Sequence, residues 1–481
     1  MKRVVIIGGG IAGLATAYSL REHQLGSPSP LPPFETVVME KKSRVGGNIV
    51  TERIDGFVIE GGPDCFISEK PWAMELCRRI GLGDRLLPTN DEFRKTFVLS
   101  GGRLHVLPEG VILMVPTKIL PLATSSLISI PGKLRMALEA FVPRKKDPGD
   151  ESLGDFVRRR LGKEALDKIA EPLVAGIHAG DPETMSVKAS FPRFVELEQE
   201  YGSLIRGMLK RMYNLKRSRK DRPPEKKTGP KVTMFMTLKG GLSELIEELA
   251  GRIEGFEHTV IRTDTTVAGI SMKGARYLVE IEGGAVMEAD SVVLASPAHA
   301  ASRLVKNLDP VLSEKLLTIP YVSTATVSLA FRKKDIRHPL DGFGFVIPRT
   351  EKRKIMAATW TSRKFDYRAP EDSVLIRCFV GGSNNADLVS LDDASMAAMV
   401  RGELKEIMGI EAEPVLERVY RWFNSMPQYT IGHEERIRSI EERASTHPGF
   451  FLTGSAYHGI GISDSVRYGE ITAKKVLHYL G

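Results

Sequence analysis

Lys2-Arg3-Val4-Val5-Ile6-Ile7-Gly8-Gly9-Gly10-Ile11-Ala12-Gly13 decides the fold. Lys2 to Ile7 is dominated by β-branched residues, the composition of a strand buried on both faces. Beyond Gly13, Leu14, Ala17, Tyr18 and Leu20 recur at helical spacing. Gly-x-Gly-x-x-Gly between a strand and a helix has a mechanical reading. The first glycine makes the tight turn, the second admits a pyrophosphate, and the third lets helix and strand pack closely. The helix N-terminus then attracts phosphate charge. A basic pair before an apolar run also superficially matches a secretion signal. Three consecutive glycines and an amphipathic continuation predict strand, turn and helix instead, with no room for a cleaved segment.

Thr36-Val37-Val38-Met39 reads as the second strand, with Glu40 at its end. A carboxylate there accepts hydrogen bonds from both hydroxyls of a ribose and repels a 2′-phosphate. Glu40 follows Gly13 at more than the usual ~20 residues, and the Pro-rich insertion Ser27–Phe34 accounts for the excess. The plain alternative is a glutamate at a strand end by chance. A second glycine pair follows in Glu40-Lys41-Lys42-Ser43-Arg44-Val45-Gly46-Gly47-Asn48, where backbone can approach a second diphosphate-linked group and Arg44 can neutralise it. Asp55 to Pro63 reads as a short strand into a turn. Near the far end, Gly449-Phe450-Phe451-Leu452-Thr453-Gly454 is a strand ending in glycine, and Gly459-Ile460-Gly461-Ile462-Ser463-Asp464 precedes a final helix over roughly Ser463 to Leu480.

The 481 residues are 42% hydrophobic and 27% charged, which excludes a disordered or fibrous chain and suggests two or three domains. Three scattered cysteines, Cys65, Cys77 and Cys378, give no disulfide framework, and the ten histidines lack metal-site clustering. The net charge of +8 is concentrated: Arg206 to Lys231 holds eleven basic residues against Asp221 and Glu225, so the remainder is near neutral. Prolines 223, 224 and 230 make the second half of that stretch a loop. It is either a solvated connection or a surface for anionic lipid. Nucleic acid is disfavoured because only Tyr213 interrupts the charges as an aromatic platform. The apolar run Ile119–Gly132 is too short, and too rich in proline, to span a bilayer.

The two glycine motifs, Glu40 and the C-terminal motif together resemble the FAD-binding segments of the amine oxidase-like flavoprotein superfamily. Thr265-Thr266-Val267-Ala268-Gly269-Ile270 and Asp290-Ser291-Val292-Val293-Leu294-Ala295-Ser296-Pro297 look like its remaining FAD-domain strands. More specific motifs resemble the protoporphyrinogen oxidase family, in family order along nearly the whole chain. They are Gly62-Pro63-Asp64-Cys65-Phe66, Thr96-Phe97-Val98-Leu99, Gly176-Ile177-His178-Ala179-Gly180-Asp181-Pro182, Asp341 to Pro348, Phe379-Val380-Gly381-Gly382, and Pro427 to His433.

The resemblance implies an α/β (α+β) architecture in three parts. A Rossmann-type FAD-binding domain is assembled from 1–95, 232–300 and 426–481. A mainly helical membrane-binding domain covers 96–231, and a mixed-sheet substrate domain covers 301–425. Helical spacing over Leu134–Phe141, Leu153–Leu161 and Ala165–Leu173 independently supports the helical part. The implied cofactor is non-covalent FAD. It would be held by Gly8, Gly9, Gly10, Ile11, Ala12, Gly13, Glu40, Lys41, Arg44, Gly46, Gly47, Asn48, Gly61, Gly62, Pro63 and Asp64. Val267, Trp422, Gly454, Ser455, Gly461, Ile462 and Ser463 complete that set, with Val267 holding the adenine through its backbone.

The implied reaction removes six electrons from protoporphyrinogen IX to give protoporphyrin IX, in haem biosynthesis. Each of three flavin cycles passes a hydride from a ring carbon to flavin N5, and O₂ is reduced to hydrogen peroxide. Coproporphyrinogen III oxidation is the alternative. The cofactor carries the chemistry, so no catalytic side chain and no metal is expected. Substrate contacts are expected at Gly176, Phe343, Gly344, Val346, Phe365 and Phe379, with Phe365 and Phe379 equally readable as core. The family's propionate-pairing arginine is missing: Thr96 stands in its place, after Arg94 and Lys95, with Lys70 the next candidate anchor. His178 is read as packing. Implied partners are the tetrapyrrole, O₂ and a membrane surface, with no nucleic acid; a homodimer is admitted. The implied location is cytoplasmic, peripheral on the membrane's inner side. Two competing readings are an amine or carotenoid oxidase, and a non-catalytic binding protein like the dissociation inhibitors of prenylated GTPases.

Overall fold

The first strand forms over Lys2–Ile7 and lies in the middle of a five-stranded parallel sheet in the computed structural model. The structure describes residues 1–26, 32–108, 111–112, 115–116, 119–147, 149–220 and 231–481. Most of the Pro-rich insertion, and the prolines at 223, 224 and 230, fall outside the described residues. The chain divides into two compact units: Met1–Thr89 with Pro230–Pro320 and Glu434–Gly481, and Asn90–Gly229 with Tyr321–His433.

In the first unit the parallel sheet runs Thr259–Arg262, Phe34–Met39, Lys2–Ile7, Ser291–Leu294, Phe450–Leu452. Val4, Val5, Ile6, Val37 and Val38 are buried, as a sheet covered on both faces requires. Helix Ile11–Gly26 packs against helix Ile462–Leu480, and Leu14, Ala17, Leu20, Val466, Ala473 and Val476 share one core. Gly13 is obligatory, since a Cβ there would stand 2.0 Å from the Gly8 carbonyl oxygen.

The Thr265–Ile270 segment, read as a strand of the FAD domain, leads into a strand of the first unit, in a separate antiparallel sheet of Val267–Lys273, Arg276–Ile281 and Val286–Ala289. The outer parallel strand is Thr259–Arg262, just upstream. Residues 301–320 also belong with this unit rather than with the large sheet. Asp309, buried between helices Ala298–Val305 and Pro310–Leu317, accepts from Arg443 Nε (2.6 Å) and bonds His447 Nε2 (2.8 Å), and so ties the pair to the first unit.

The second unit is built on a seven-stranded mixed sheet. Its order is Leu416–Pro427, Tyr321–Arg332, Ser373–Gly381, Ile355–Thr359, Gly344–Val346, Thr96–Ser100, Arg103–Val106. Only the Gly344–Val346/Thr96–Ser100 pair is parallel. Helix Asp393–Met408 covers one face, where Val327, Leu329, Phe331, Phe345, Ile376 and Cys378 are buried with Met396 and Val400. Val98 on the opposite face joins a helical core of Phe156, Val157, Ile169, Val174 and Phe194. The expected helical spacing is realised as helices Ile130–Ala137, Leu153–Arg160 and Glu171–His178, the last preceded by a π turn over Leu166–Ala170. Strands Thr96–Ser100 and Arg103–Val106, at the start of the expected helical part, are sheet members. Residues 426–433 also join this unit: Ser186 N–H donates to the Tyr429 carbonyl (2.8 Å) and Gly432 N–H to Asp150 Oδ2 (3.0 Å).

Candidate functional site

In the first unit the predicted cofactor residues gather at the carboxyl ends of the parallel strands. Glu40 is buried across the glycine turn: its Oε2 accepts from Gly9 N–H (2.8 Å) and its Oε1 from Lys42 N–H (3.0 Å). Its carbonyl accepts from Thr265 N–H (2.9 Å), which brings Val267 close to the same acid. The second glycine pair lies directly on the first turn. Gly46 N–H donates to the Gly9 carbonyl (2.7 Å), Gly46 bridges Gly10, and a Cβ on Gly47 would stand 3.3 Å from Gly10 Cα. A Cβ on Gly10 itself would meet nothing within 4 Å. This is the open space that the second motif glycine leaves for a diphosphate.

Arg44 takes a different part from the one expected. Its guanidinium donates to the carbonyls of Val45 (3.2 Å), Gly47 (3.0 Å) and Ile49 (3.3 Å), bracing the second turn. Burial lowers its pKa, opposed by the charge of Glu40. Gly61 N–H donates to the Val50 carbonyl (2.8 Å), holding the 61–64 turn beside this loop. At the C-terminal motif, Gly454 likewise faces open space. Gly461 caps the last helix, and Ser463 Oγ donates to the Lys70 carbonyl (2.9 Å). Lys70 Nζ pairs with both oxygens of Asp464 (2.8 and 2.6 Å), so its ammonium is engaged by a carboxylate. Thr453 is buried, and its hydroxyl has no hydrogen-bond partner among the described residues. Open backbone at Gly10 and Gly454, two helix N-termini and an orphan hydroxyl fit an FAD with its diphosphate at the first turn. Trp422, expected with this set, lies in the second unit, opposite Thr324.

The predicted substrate residues fall in the second unit, mostly on one face of its sheet. Residues opposite each other on neighbouring strands share a face. Thr96, Gly344, Thr359 and Arg377 form one row, and Val98, Val346, Ala357 and Phe379 the next. Gly176 joins from its helix, where a Cβ would lie 3.4 Å from Val346 and 3.8 Å from Ala357. Phe343 is half-buried, and its N–H donates to the Lys95 carbonyl (2.7 Å). Phe379 is half-buried beneath the Arg377 guanidinium, 4.8 Å from its ring centre.

Three expected contacts resolve otherwise. Lys95 alternates away from Thr96 and pairs with Asp341 (2.7 Å), which holds that carboxyl below its usual range; both side chains are exposed. Arg94 pairs with Asp91. Phe365 is fully buried, its ring flanked by Lys364 and Arg368, and so serves as core rather than wall. The ring of His178 packs edge-on to Phe191 at 5.5 Å. Arg377 is marked by no motif. The signal for it is alternation: Thr324, Thr326 and Ser328 interleave with buried Ala325, Val327 and Leu329, which announces a polar face on the sheet.

A family model described as flavin containing amine oxidoreductase matches residues 11–477. The chain is 37% identical over 480 residues to the coproporphyrinogen III oxidase of Bacillus subtilis, covering 100% of this chain and 98% of that one. It is 27% identical over 503 residues to protoporphyrinogen oxidase 2, chloroplastic/mitochondrial, of Arabidopsis thaliana, covering 100% and 94%. Among solved structures, a protein from Exiguobacterium sp. 255-15, provisionally titled protoporphyrinogen oxidase, superposes with a TM-score of 0.83 at 33% identity, covering 99% of both chains. Chain-long likeness and a glycine-lined dinucleotide cradle agree: this is an FAD-dependent oxidoreductase of the flavin containing amine oxidoreductase family, grouping within it with the porphyrinogen oxidases.

Proposed function

We propose that the protein oxidises coproporphyrinogen III to coproporphyrin III, removing six electrons and six protons while three O₂ become three H₂O₂. The observation that carries this reading over protoporphyrinogen IX is the end-to-end likeness to the Bacillus subtilis enzyme, higher than that to the plant protein. FAD, when bound, supplies the two-electron acceptor that O₂ regenerates. The chain's own residues bind and orient. Glu40 holds the ribose end, and the backbone at Gly10 and Gly47 receives the diphosphate. The face carrying Phe379, Val346 and Gly176 offers small and aromatic surface to a flat macrocycle. No side chain is required as acid or base.

The reading keeps the three-part division of the chain in functional terms, with the helices of 96–231 resting on the cytoplasmic leaflet. Ile130, Leu134, Leu138 and Phe141 follow one another at one-turn spacing and are each more than half exposed. Leu127 and Ile128, within the apolar run Ile119–Gly132, are buried and take no part in this stripe. Arg206, Lys210 and Arg217 are exposed on helix Leu204–Lys220, whose first N–H groups donate to Glu139, and supply charge for anionic headgroups.

The test is a porphyrin fluorescence assay with peroxide detection on the flavin-loaded protein, given each porphyrinogen. A higher kcat/KM for coproporphyrinogen III is expected. Preference for protoporphyrinogen IX, or turnover of neither, would overturn the reading.

A further inference from the structure

A turn with a titratable group built into it leads into the large sheet. Residues 338–343 precede strand Gly344–Val346, whose Gly344 stands in the row of Thr96 and Thr359. The Phe343 backbone is held on both sides: its N–H donates to the Lys95 carbonyl (2.7 Å), and its carbonyl accepts from Trp360 N–H (2.8 Å). Gly342 is pressed on the same segment, since a Cβ would stand 2.5 Å from the Lys95 carbonyl oxygen. Just before it, Leu340 lies in the left-handed region at φ +49°, buried with Phe345, Ile347 and Trp360. A bulky side chain adopts that conformation only where its surroundings hold it. Leu340 N–H donates to His338 Nδ1 (3.1 Å) across Pro339, which has no N–H of its own. The half-buried imidazole packs 5.1 Å from the Trp360 ring. An imidazole nitrogen accepts only while it carries no proton, so this bond requires neutral His338 with its hydrogen on Nε2. Protonation makes Nδ1 a second donor facing the Leu340 N–H. The charge acting on the ring is that of Asp341, on its own turn, and Asp341 is engaged by Lys95 Nζ (2.7 Å) from the neighbouring segment; Trp360 carries none. The exposed Lys95–Asp341 pair contributes little, so the turn depends on the imidazole.

Resting on the proposed activity, with Phe343 a wall for the macrocycle, we infer that neutral His338 is a positioning residue for the substrate. By accepting from Leu340 N–H it holds the 338–343 turn, and through the turn it holds Phe343 in the geometry that binds the tetrapyrrole. Protonation of His338 releases the turn, so substrate binding weakens in acid while turnover of the bound substrate does not change. Burial lowers the pKa of His338 from 6.5, against the charge of Asp341. The bond is therefore intact at neutral pH and is lost only as pH falls below 6.5.

The experiment is steady-state kinetics on the flavin-loaded protein with coproporphyrinogen III, at about pH 8 and about pH 5. It is paired with equilibrium titration of the oxidised product coproporphyrin, read by its Soret band. The propionates titrate as well, so each variant is compared with wild type at the same pH. His338→Phe keeps a ring and removes the acceptor. Its KM and its Kd for coproporphyrin are expected to rise roughly three- to tenfold at the higher pH, with kcat and flavin content near wild type. His338→Asn puts an oxygen near the place of Nδ1 with no proton to gain. It is expected to match wild type at the higher pH and to bind more tightly than wild type at the lower. Adding Leu340→Gly to His338→Phe frees the left-handed backbone of its need for the bond, and most of the loss is expected to be recovered. If His338→Phe does not fold, wild type against His338→Asn at the two pH values decides alone. Equal binding by wild type and His338→Asn at both pH values, or a fall in kcat with KM unchanged, would overturn the inference. If the wild type oxidises neither porphyrinogen, the proposed activity fails, and the coproporphyrin titration of the same variants still decides the part of His338. A wild type that binds no coproporphyrin would overturn the inference as well.

Discussion

Arg160 and Glu139 form an ion pair in which neither side chain has any exposed surface. Glu139 also accepts from Ser203 Oγ (2.6 Å), Leu204 N–H (2.9 Å) and Ile205 N–H (3.2 Å), at the start of the basic helix. Arg160 donates to the carbonyls of Val142 (2.9 Å) and Gly202 (3.0 Å). One buried pair thus fastens the turn bearing Leu138 and Phe141 to the helix bearing Arg206 and Lys210. Removing Glu139 leaves the buried Arg160 charge only its longer contact to Glu198 (3.4 Å), at a cost of about 3 kcal/mol. Glu139→Ala is expected to unfold at correspondingly lower urea concentration. Glu139→Leu with Arg160→Met is expected to recover much of the loss, and a stability as low as that of the single variant would contradict this.

The two motif glycines separate cofactor binding from folding. Gly10→Val places its side chain in open space, so a folded, colourless protein is expected. Gly13→Val meets the Gly8 carbonyl and is expected not to fold. Glu40→Ala should also lose flavin while keeping its far-ultraviolet circular dichroism. Stoichiometric flavin in Gly10→Val and Glu40→Ala would remove this assignment.

Lys95 is tied to Asp341 on an exposed edge, so Lys95→Ala is expected to leave both Michaelis constants unchanged and stability within about 1 kcal/mol of wild type. Thr96→Arg, in contrast, puts a guanidinium in the row of Gly344 and Arg377, and is expected to lower KM for the two-propionate substrate. Kinetics on both variants check the alternation; a raised KM in Lys95→Ala would contradict it.

The proposed leaflet attachment rests on a stripe and a charge, which respond to different treatments. Phe141→Ser with Leu134→Ser should abolish sedimentation with anionic vesicles at any salt concentration. Wild-type binding should weaken as salt is raised and be poor to neutral vesicles. Binding equal for both lipids and insensitive to salt would rule the arrangement out.

Glu171 is buried against the Arg349 backbone N–H (3.0 Å), and burial pushes its pKa up to about 7 from 4.5. A carboxyl raised in the folded state binds its proton more tightly there than in the unfolded chain. Stability therefore falls as pH rises from about 4.5 through about 7, and the penalty is complete above that. Glu171→Gln is expected to gain about 2–3 kcal/mol at pH 8 and nothing at pH 4. Parallel denaturation curves for the two proteins at both pH values would refute it.

The glycine turn and Glu40 were legible because their demands are local: a tight turn, a close approach and a charge at a strand end all lie within a short stretch of sequence. Strand membership was legible only in part. Thr265–Ile270 has the β-branched pattern of its role, but no local property says which sheet it joins, and Thr259–Arg262 took the parallel edge. Arg377 escaped notice because only the pairing of its strand places it in the row of Thr359, Gly344 and Thr96. The outward turn of Lys95 follows from a single step of strand parity, which Thr96 fixes by lying beside Gly344.

The order of strands in the parallel sheet sets a schedule for synthesis. Lys2–Ile7 leaves the ribosome long before Ser291–Leu294, with which it pairs, and that strand in turn pairs with the still later Phe450–Leu452. Helix Ile11–Gly26 waits for its partner Ile462–Leu480. The whole stretch between these paired elements is therefore translated before the dinucleotide cradle can close, and until then an apolar strand and helix stand without their covers. Such sequence-distant pairing is slow and leaves the unpaired strand and helix exposed to aggregation until their late partners emerge.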